Sequence, residues 1–103
     1  MLDGNKHLVL ELGKKLLEQF NEAEMLELRH LFESKQMETL ADRLHKLKGA
    51  VLNFDLKPVL HILEQSKESL QTENEVWFNR CLDQLILEMS RFEKALEDYR
   101  LSQ

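Results

Sequence analysis

The chain has 103 residues, of which 43% are hydrophobic and 32% are charged, and its formal net charge is −5. This length allows one modest core, so we expect a single domain over residues 1–103. The negative charge argues against nucleic-acid binding, and no apolar run is long enough to cross a membrane. The start MLDGNKHLVL is too polar for a signal peptide, so we expect a cytoplasmic protein, which we take to be a monomer.

Apolar residues recur three and four positions apart along the chain, a spacing that predicts amphipathic α-helices. The first two predicted helices span about residues 6–20 and 22–34, with Asn21 as a turn or kink between them. The third spans about residues 37–53. Its apolar stripe consists of Met37, Leu40, Leu44, Leu47, Val51 and Phe54. This regular seam is typical of a helix packed in a bundle.

Capping signals mark the starts of the last two predicted helices. Asp55 is expected to cap the fourth helix, with Pro58 in its first turn, where a missing amide proton is tolerated. Thr72 and Glu75 have the spacing of a capping box, which predicts a fifth helix reaching about Leu101. No segment shows the alternation of apolar and polar residues that is typical of a β-strand. We therefore expect an all-α fold, an antiparallel up-and-down four-helix bundle with an additional N-terminal helix.

His45 is expected to point into solvent, because it lies roughly 130° from the centre of the apolar stripe at about 100° per residue. Ala41, Lys48, Gly49 and Leu52 fall on the same side of the third helix. An exposed imidazole is a competent nucleophile near pH 7. Lys48 can place an ammonium beside an anion bound to the ring. A phosphoryl group would suit this combination of nucleophile and cation.

Gly49 is unexpected inside a helix, because glycine costs roughly 0.5–1 kcal/mol relative to alanine there. Its missing side chain leaves room for a bulky group or a partner surface one turn from His45. The surrounding stretch, residues 43–57, contains four lysines or arginines, among them Lys46, and one aspartate, a local charge of +3. That charge should favour docking of an acidic partner surface.

The string HKLKGA at residues 45–50 resembles the His-x-Leu-Lys-Gly-[Ser/Ala] signature of histidine-containing phosphotransfer domains of two-component phosphorelays. The preceding FESKQMETLADRLH and the following LNFDLKPVLHILEQ also resemble the family's flanking segments. The resemblance covers roughly residues 12–70, and the last helix is compatible in pattern only. Two positions depart from the family: Asp55 stands where glycine is usual, and Leu52 stands where small residues are common.

The resemblance implies that His45 is the phosphorylated residue, most often through Nε2, that Lys48 stabilises the phosphoryl group and that Gly49 gives access. The protein would then relay phosphoryl groups between aspartates of receiver domains. Ala41, Lys46 and Leu52 are expected to contact the partner. The expected partners are response-regulator receiver domains and a hybrid sensor kinase. No intrinsic cofactor or metal is expected, since Mg²⁺ would belong to the receiver domain.

Alternative functions are weaker. The main alternative is a structural or adaptor bundle that binds a protein partner on the Leu52 face, with His45 passive. A metal site is disfavoured, because Glu27 and His30 form only one clear Glu-x-x-His motif where a di-iron bundle needs two. No nucleotide-binding motif is present, so we expect a phosphocarrier and not an ATP-dependent kinase.

The lone Cys81 is predicted to be a buried, inert thiol.

Overall fold

The computed structural model describes residues 5–102, and this part of the chain consists of helices and short connections without strands. The five helices are α1 (Lys6–Gln19), α2 (Glu22–Glu33), α3 (Met37–Val51), α4 (Lys57–Gln71) and α5 (Glu75–Leu101). Their number and order agree with the sequence-based prediction. Within residues 5–102, no helix combines the length and the apolar character needed to cross a membrane.

Helices α2 to α5 form the expected bundle, and α1 is the additional N-terminal helix. In the bundle α4 packs against both α3 and α5, and α2 packs against α3 and α5. Helix α1 lies against α5 and α3. The connections after α2, α3 and α4 each reverse the chain, so the all-α, up-and-down bundle is confirmed. The connection between α1 and α2 does not reverse it, because both helices run along α5 in the same direction: Gly13 faces Leu96, and Phe32 stacks on Phe78. The molecule is elongated, with extents of 47 × 20 × 19 Å.

The predicted apolar stripes form the core. In α3, Leu40 and Val51 are fully buried, and in α5 the stripe is buried from Phe78 to Phe92. Phe78 also stacks on Phe32 of α2, with ring centroids 4.9 Å apart. Cys81 is buried, as predicted, and burial raises the pKa of its thiol. The side chains that face the core therefore follow from helical spacing.

Two predicted caps are wrong. Helix α4 begins at Lys57 with Leu56 at the N-cap position, and no side chain caps it. Asp55 therefore lies one residue before the N-cap position, and Pro58 has no amide proton that Asp55 could bind three residues ahead. At α5 the cap is Asn74, whose side-chain oxygen accepts a hydrogen bond of 3.0 Å from the Trp77 amide.

Thr72 does not start α5, because it completes α4. Its hydroxyl donates to the Glu68 carbonyl at 3.1 Å, and its backbone forms the C-cap of α4. Glu73 then takes a left-handed conformation, with φ of 51°, which reverses the chain before Asn74. Asparagine caps a helix as well as threonine does, so the later residue can take the role.

Candidate functional site

Helix α3 fixes the direction of His45. Leu44 and Leu47 on either side of it along the chain are buried, so the helix can orient only one face toward the core. His45 consequently lies on the solvent side and is exposed, as the helical spacing predicts. The other histidines in the described range, His7, His30 and His61, are also exposed, so exposure alone does not distinguish His45.

A groove between α3 and α4 sets His45 apart from the other histidines. This groove, hereafter the α3–α4 groove, has a volume of about 320 Å³. Its apolar part is formed by Leu44, Leu63 and Leu70, and its polar or small residues are Ala41, Asp42, His45, Lys48, Glu64, Lys67 and Gln71. An imidazole thus stands beside an open, partly apolar depression with charged residues along it.

The ammonium of Lys48 is bound to a carboxylate of the neighbouring helix. Its Nζ lies 3.1 Å from Oε1 of Glu64 and donates a hydrogen bond to it. The hydrogen bond from Lys48, and then the charges of Lys48 and Lys67, lower the pKa of the Glu64 carboxyl. The side chains of Lys48 and Glu64 remain 43% and 58% exposed, so water and a bound anion can both reach the pair.

Gly49 has no packing role inside the domain. It lies in the exposed part of α3, and a Cβ built on it would meet no atom within 4 Å. Gly13 is different, because a Cβ there would lie 2.7 Å from both terminal methyl carbons of Leu96. A glycine at position 49 is therefore not required by the packing of this chain, and its cost to the helix needs another explanation.

The expected partner-contacting residues fall into two groups. Ala41 lines the α3–α4 groove together with His45 and Lys48. Lys46 and Leu52 are exposed but do not line that groove, and Leu52, at the C-cap of α3, is 62% exposed. Of the three residues expected to contact the partner, Ala41 therefore lies in the α3–α4 groove, and the other two lie on the adjoining surface of α3.

The stretch of residues 43–57, hereafter the basic patch, is less positive in the fold than its count of charged residues indicates. Arg43 makes two hydrogen bonds to Glu24 of α2, at 3.0 and 2.9 Å, and these bonds raise the pKa of its guanidinium. Lys48 is bound to Glu64, as described above. Acids from distant parts of the chain therefore neutralise two of the four cations. Within residues 5–102, Lys46 and Lys57 form no ion pair.

The contribution of α4 to the α3–α4 groove was not predicted from the sequence. Glu64, Lys67 and Gln71 are spaced three and four apart, so their shared face could have been recognised beside the buried Leu63 and Leu70. Spacing along α4 cannot tell which helix that face adjoins. Across the described part of the chain, no group of three or more His, Cys, Asp or Glu residues is arranged to hold a metal ion.

A family model described as the Hpt domain matches residues 14–95. Comparison of the sequence with curated proteins and with solved structures gives no significant match. The matched segment begins inside α1, includes all of α2, α3 and α4, and ends near the C-terminal part of α5. It therefore contains both walls of the α3–α4 groove. Because the match covers most of its length, the chain belongs to the family of histidine-containing phosphotransfer (Hpt) domains, which serve histidine phosphotransfer in phosphorelays.

Proposed function

We propose that His45 accepts a phosphoryl group from a phospho-aspartate of one receiver domain and passes it to an aspartate of another. The observation that supports this most is the position of His45, exposed on α3 beside a groove that also contains the ammonium of Lys48. The other described histidines do not line that groove. Family membership supports a phosphotransfer role in general, and the choice of His45 is our own.

The transfer needs only one nucleophilic atom from this chain. The lone pair of the unprotonated ring nitrogen forms the N–P bond as the P–O bond to the aspartyl carboxylate breaks, and that electron pair leaves with the carboxylate. The ring keeps the proton on its other nitrogen. The reverse sequence of bonds returns the group to a second aspartate. Such transfers depend on alignment and on neutralising the charge of the phosphoryl oxygens, and the domain needs no general base because the attacking ring nitrogen is already unprotonated.

Lys48 would supply the charge that this chain contributes. It lies three residues after His45, and residues three apart on a helix are neighbours on its surface. Gly49 would leave space for the edge of the receiver domain, and Ala41 would do so on the other flank. Lys46 and Leu52 would extend the contact beyond the groove. The Mg²⁺ that such a transfer uses is expected in the receiver domain.

A transfer panel tests the proposal. Receiver domains from the host are phosphorylated with labelled acetyl phosphate in the presence of Mg²⁺ and mixed with the wild-type chain, His45→Gln or His61→Gln. Wild type and His61→Gln should acquire acid-labile label from at least one receiver, and His45→Gln should acquire none. The proposal is wrong if no receiver labels the wild type, or if His45→Gln is labelled like the wild type.

Replacing Lys48 with alanine should slow the transfer without unfolding the domain. A hydrogen bond to a charged group is worth about 1.5–3 kcal/mol, so we expect a loss of roughly ten- to a hundredfold in rate. Quench-flow measurement of label on the chain gives the rate, and circular dichroism checks helix content. Lys94→Ala, which removes an exposed lysine from α5, is the matched control. Equal rates for the two variants would remove Lys48 from the mechanism.

An adaptor role is the second candidate, and the position of Leu52 favours it. This exposed leucine ends α3 on the side of the helix that carries His45, where an apolar side chain can contact a docked partner. In this case a receiver domain would bind the chain but would transfer no label. Binding measured by calorimetry alongside the panel therefore separates the adaptor from the phosphocarrier.

A further inference from the structure

We propose that Glu64 controls how strongly His45 retains its phosphoryl group, by competing with that group for the ammonium of Lys48. This inference rests on the proposed phosphorylation of His45. Glu64 belongs to α4, outside the HKLKGA string around His45, and its carboxylate is a positioning group that acts through Lys48. The inference concerns the stability of phosphohistidine and leaves the route of transfer unchanged.

The geometry gives one ammonium two possible partners. Nζ of Lys48 lies 3.1 Å from Oε1 of Glu64, and both residues line the groove beside His45. Lysine has a flexible four-carbon stem and a compact charge, so it can turn from one anion to another. A doubly charged phosphoryl group on the imidazole would attract the same ammonium. When Lys48 moves to that group, the ion pair with Glu64 breaks.

Lys67 can form an ion pair with the Glu64 carboxylate after Lys48 has moved to the phosphoryl group. It lies three residues after Glu64 on α4, a spacing at which opposite charges on a helix attract each other. Its charge already contributes to the lowered pKa of Glu64, although the hydrogen bond from Lys48 is the larger cause. Glu64 therefore has a lysine on each side of it in the groove, and phosphorylation of His45 would shift its carboxylate from Lys48 to Lys67.

The consequence is a less stable phosphohistidine. The Lys48–Glu64 pair stabilises the unphosphorylated state, and it is lost when the phosphoryl group takes Lys48. The Glu64 carboxylate also carries the same sign of charge as the phosphoryl oxygens. Both effects shift the equilibrium from phosphorylated His45 toward the phosphorylated aspartate of the receiver domain. Glu64 therefore makes phosphorylated His45 a better phosphoryl donor and a less stable species. Removing the charge of Glu64 should increase the phosphorylated fraction.

An exchange equilibrium measures this effect apart from docking and catalysis. Isotope-labelled wild type, phosphorylated beforehand and freed of its phosphodonor, is mixed with an equal amount of unlabelled Glu64→Gln and a trace of a receiver domain that labels the wild type. The receiver passes the phosphoryl group back and forth until the two phosphorylated fractions stop changing. Intact-mass measurement gives their ratio. A change in docking alters the time needed to reach this ratio and leaves the ratio itself unchanged.

We expect the ratio to favour Glu64→Gln by about two- to fivefold, the range that corresponds to an exposed ion pair. Lys67→Gln should shift the ratio in the opposite direction, because the released carboxylate then lacks its second partner. Glu68→Gln removes the same charge from an exposed position of α4 that does not line the groove, and it should give a ratio near one.

The role of Lys48 is tested by repeating the exchange in its absence. The advantage of Glu64→Gln should shrink when both competing proteins carry Lys48→Ala, whereas a general effect of charge or folding would stay the same size. A ratio near one for Glu64→Gln, or equal advantages in the two backgrounds, overturns the inference while wild-type exchange continues. Failure of the wild type to exchange phosphoryl groups with any receiver would instead overturn the proposed function.

Discussion

Gly49 is the residue whose cost to the fold is easiest to measure. A methyl group at this position would meet no atom within 4 Å, so Gly49→Ala should raise the free energy of unfolding by roughly 0.5–1 kcal/mol. Urea denaturation measures the change. Gly13→Ala is the control, because its Cβ would crowd Leu96 and offset the same gain in helix propensity. A loss of stability in Gly49→Ala would show that this glycine has a structural role.

The larger variant Gly49→Leu separates the effect of this position on receiver access to His45 from its effect on the stability of the fold. The added side chain lies in open space in the isolated domain, so the fold should tolerate it. A receiver domain approaching His45 would meet the same side chain, and transfer should slow. Full transfer activity in Gly49→Leu would contradict the role of Gly49 in access.

At the residue scale, local spacing predicts direction but not tertiary partners. The exposure of His45 follows from the apolar stripe of α3, since a side chain opposite the stripe has no core to enter. The partner of Lys48 does not follow, because Glu64 lies 16 residues away on another helix. The partner of Arg43 does not follow from local spacing either, because Glu24 binds it across 19 residues of sequence.

At the scale of helices, the five segments were predictable and their caps were less so. Scarce glycine and proline and regular apolar spacing gave the number of helices and approximate ends. Asp55 and Thr72 were misassigned because several polar residues near a helix start can serve as the cap. The position of Pro58 and the left-handed turn at Glu73 decide between them, and both depend on how the chain enters the bundle.

The caps can be tested by paired alanine substitutions. Asn74→Ala removes the oxygen that accepts the Trp77 amide, and it should lower the free energy of unfolding by about 0.5–2 kcal/mol. Asp55→Ala should change it by less than about 0.5 kcal/mol, because Asp55 is exposed and caps no helix. Urea titrations of the two variants measure both values. A larger loss for Asp55→Ala would restore the capping role that the sequence indicated.

At the scale of the whole molecule, α1 supports the helix that carries the site. It packs against α3 and α5, and the Lys6 ammonium at its start donates to the Ser102 carbonyl beyond the end of α5. The sequence predicted an additional N-terminal helix, but not which bundle helices it covers. That choice depends on close packing, such as the fit of Gly13 against Leu96, which has no signature in helical spacing.

Removing apolar contact from α1 should therefore destabilise the domain as a whole. Leu16 is 2% exposed, and Leu16→Ala should cost about 2–5 kcal/mol, a large share of the roughly 5–15 kcal/mol typical of a domain. Leu26→Ala is the matched control, because that leucine is 66% exposed and should cost less than about 0.5 kcal/mol. Thermal unfolding of both variants gives the comparison. Equal losses would mean that α1 does not share the core.

The identity of the phosphorylated histidine is the central claim about function. The chain has four histidines, and only one of them is proposed to carry the phosphoryl group. The most direct measurement is to label the wild type with a phosphorylated receiver domain, digest it at neutral or alkaline pH, and locate the added phosphoryl group by tandem mass spectrometry with electron-transfer fragmentation. We predict that the group is on His45. A group found on His7, His30 or His61, with His45 unmodified, would contradict the account.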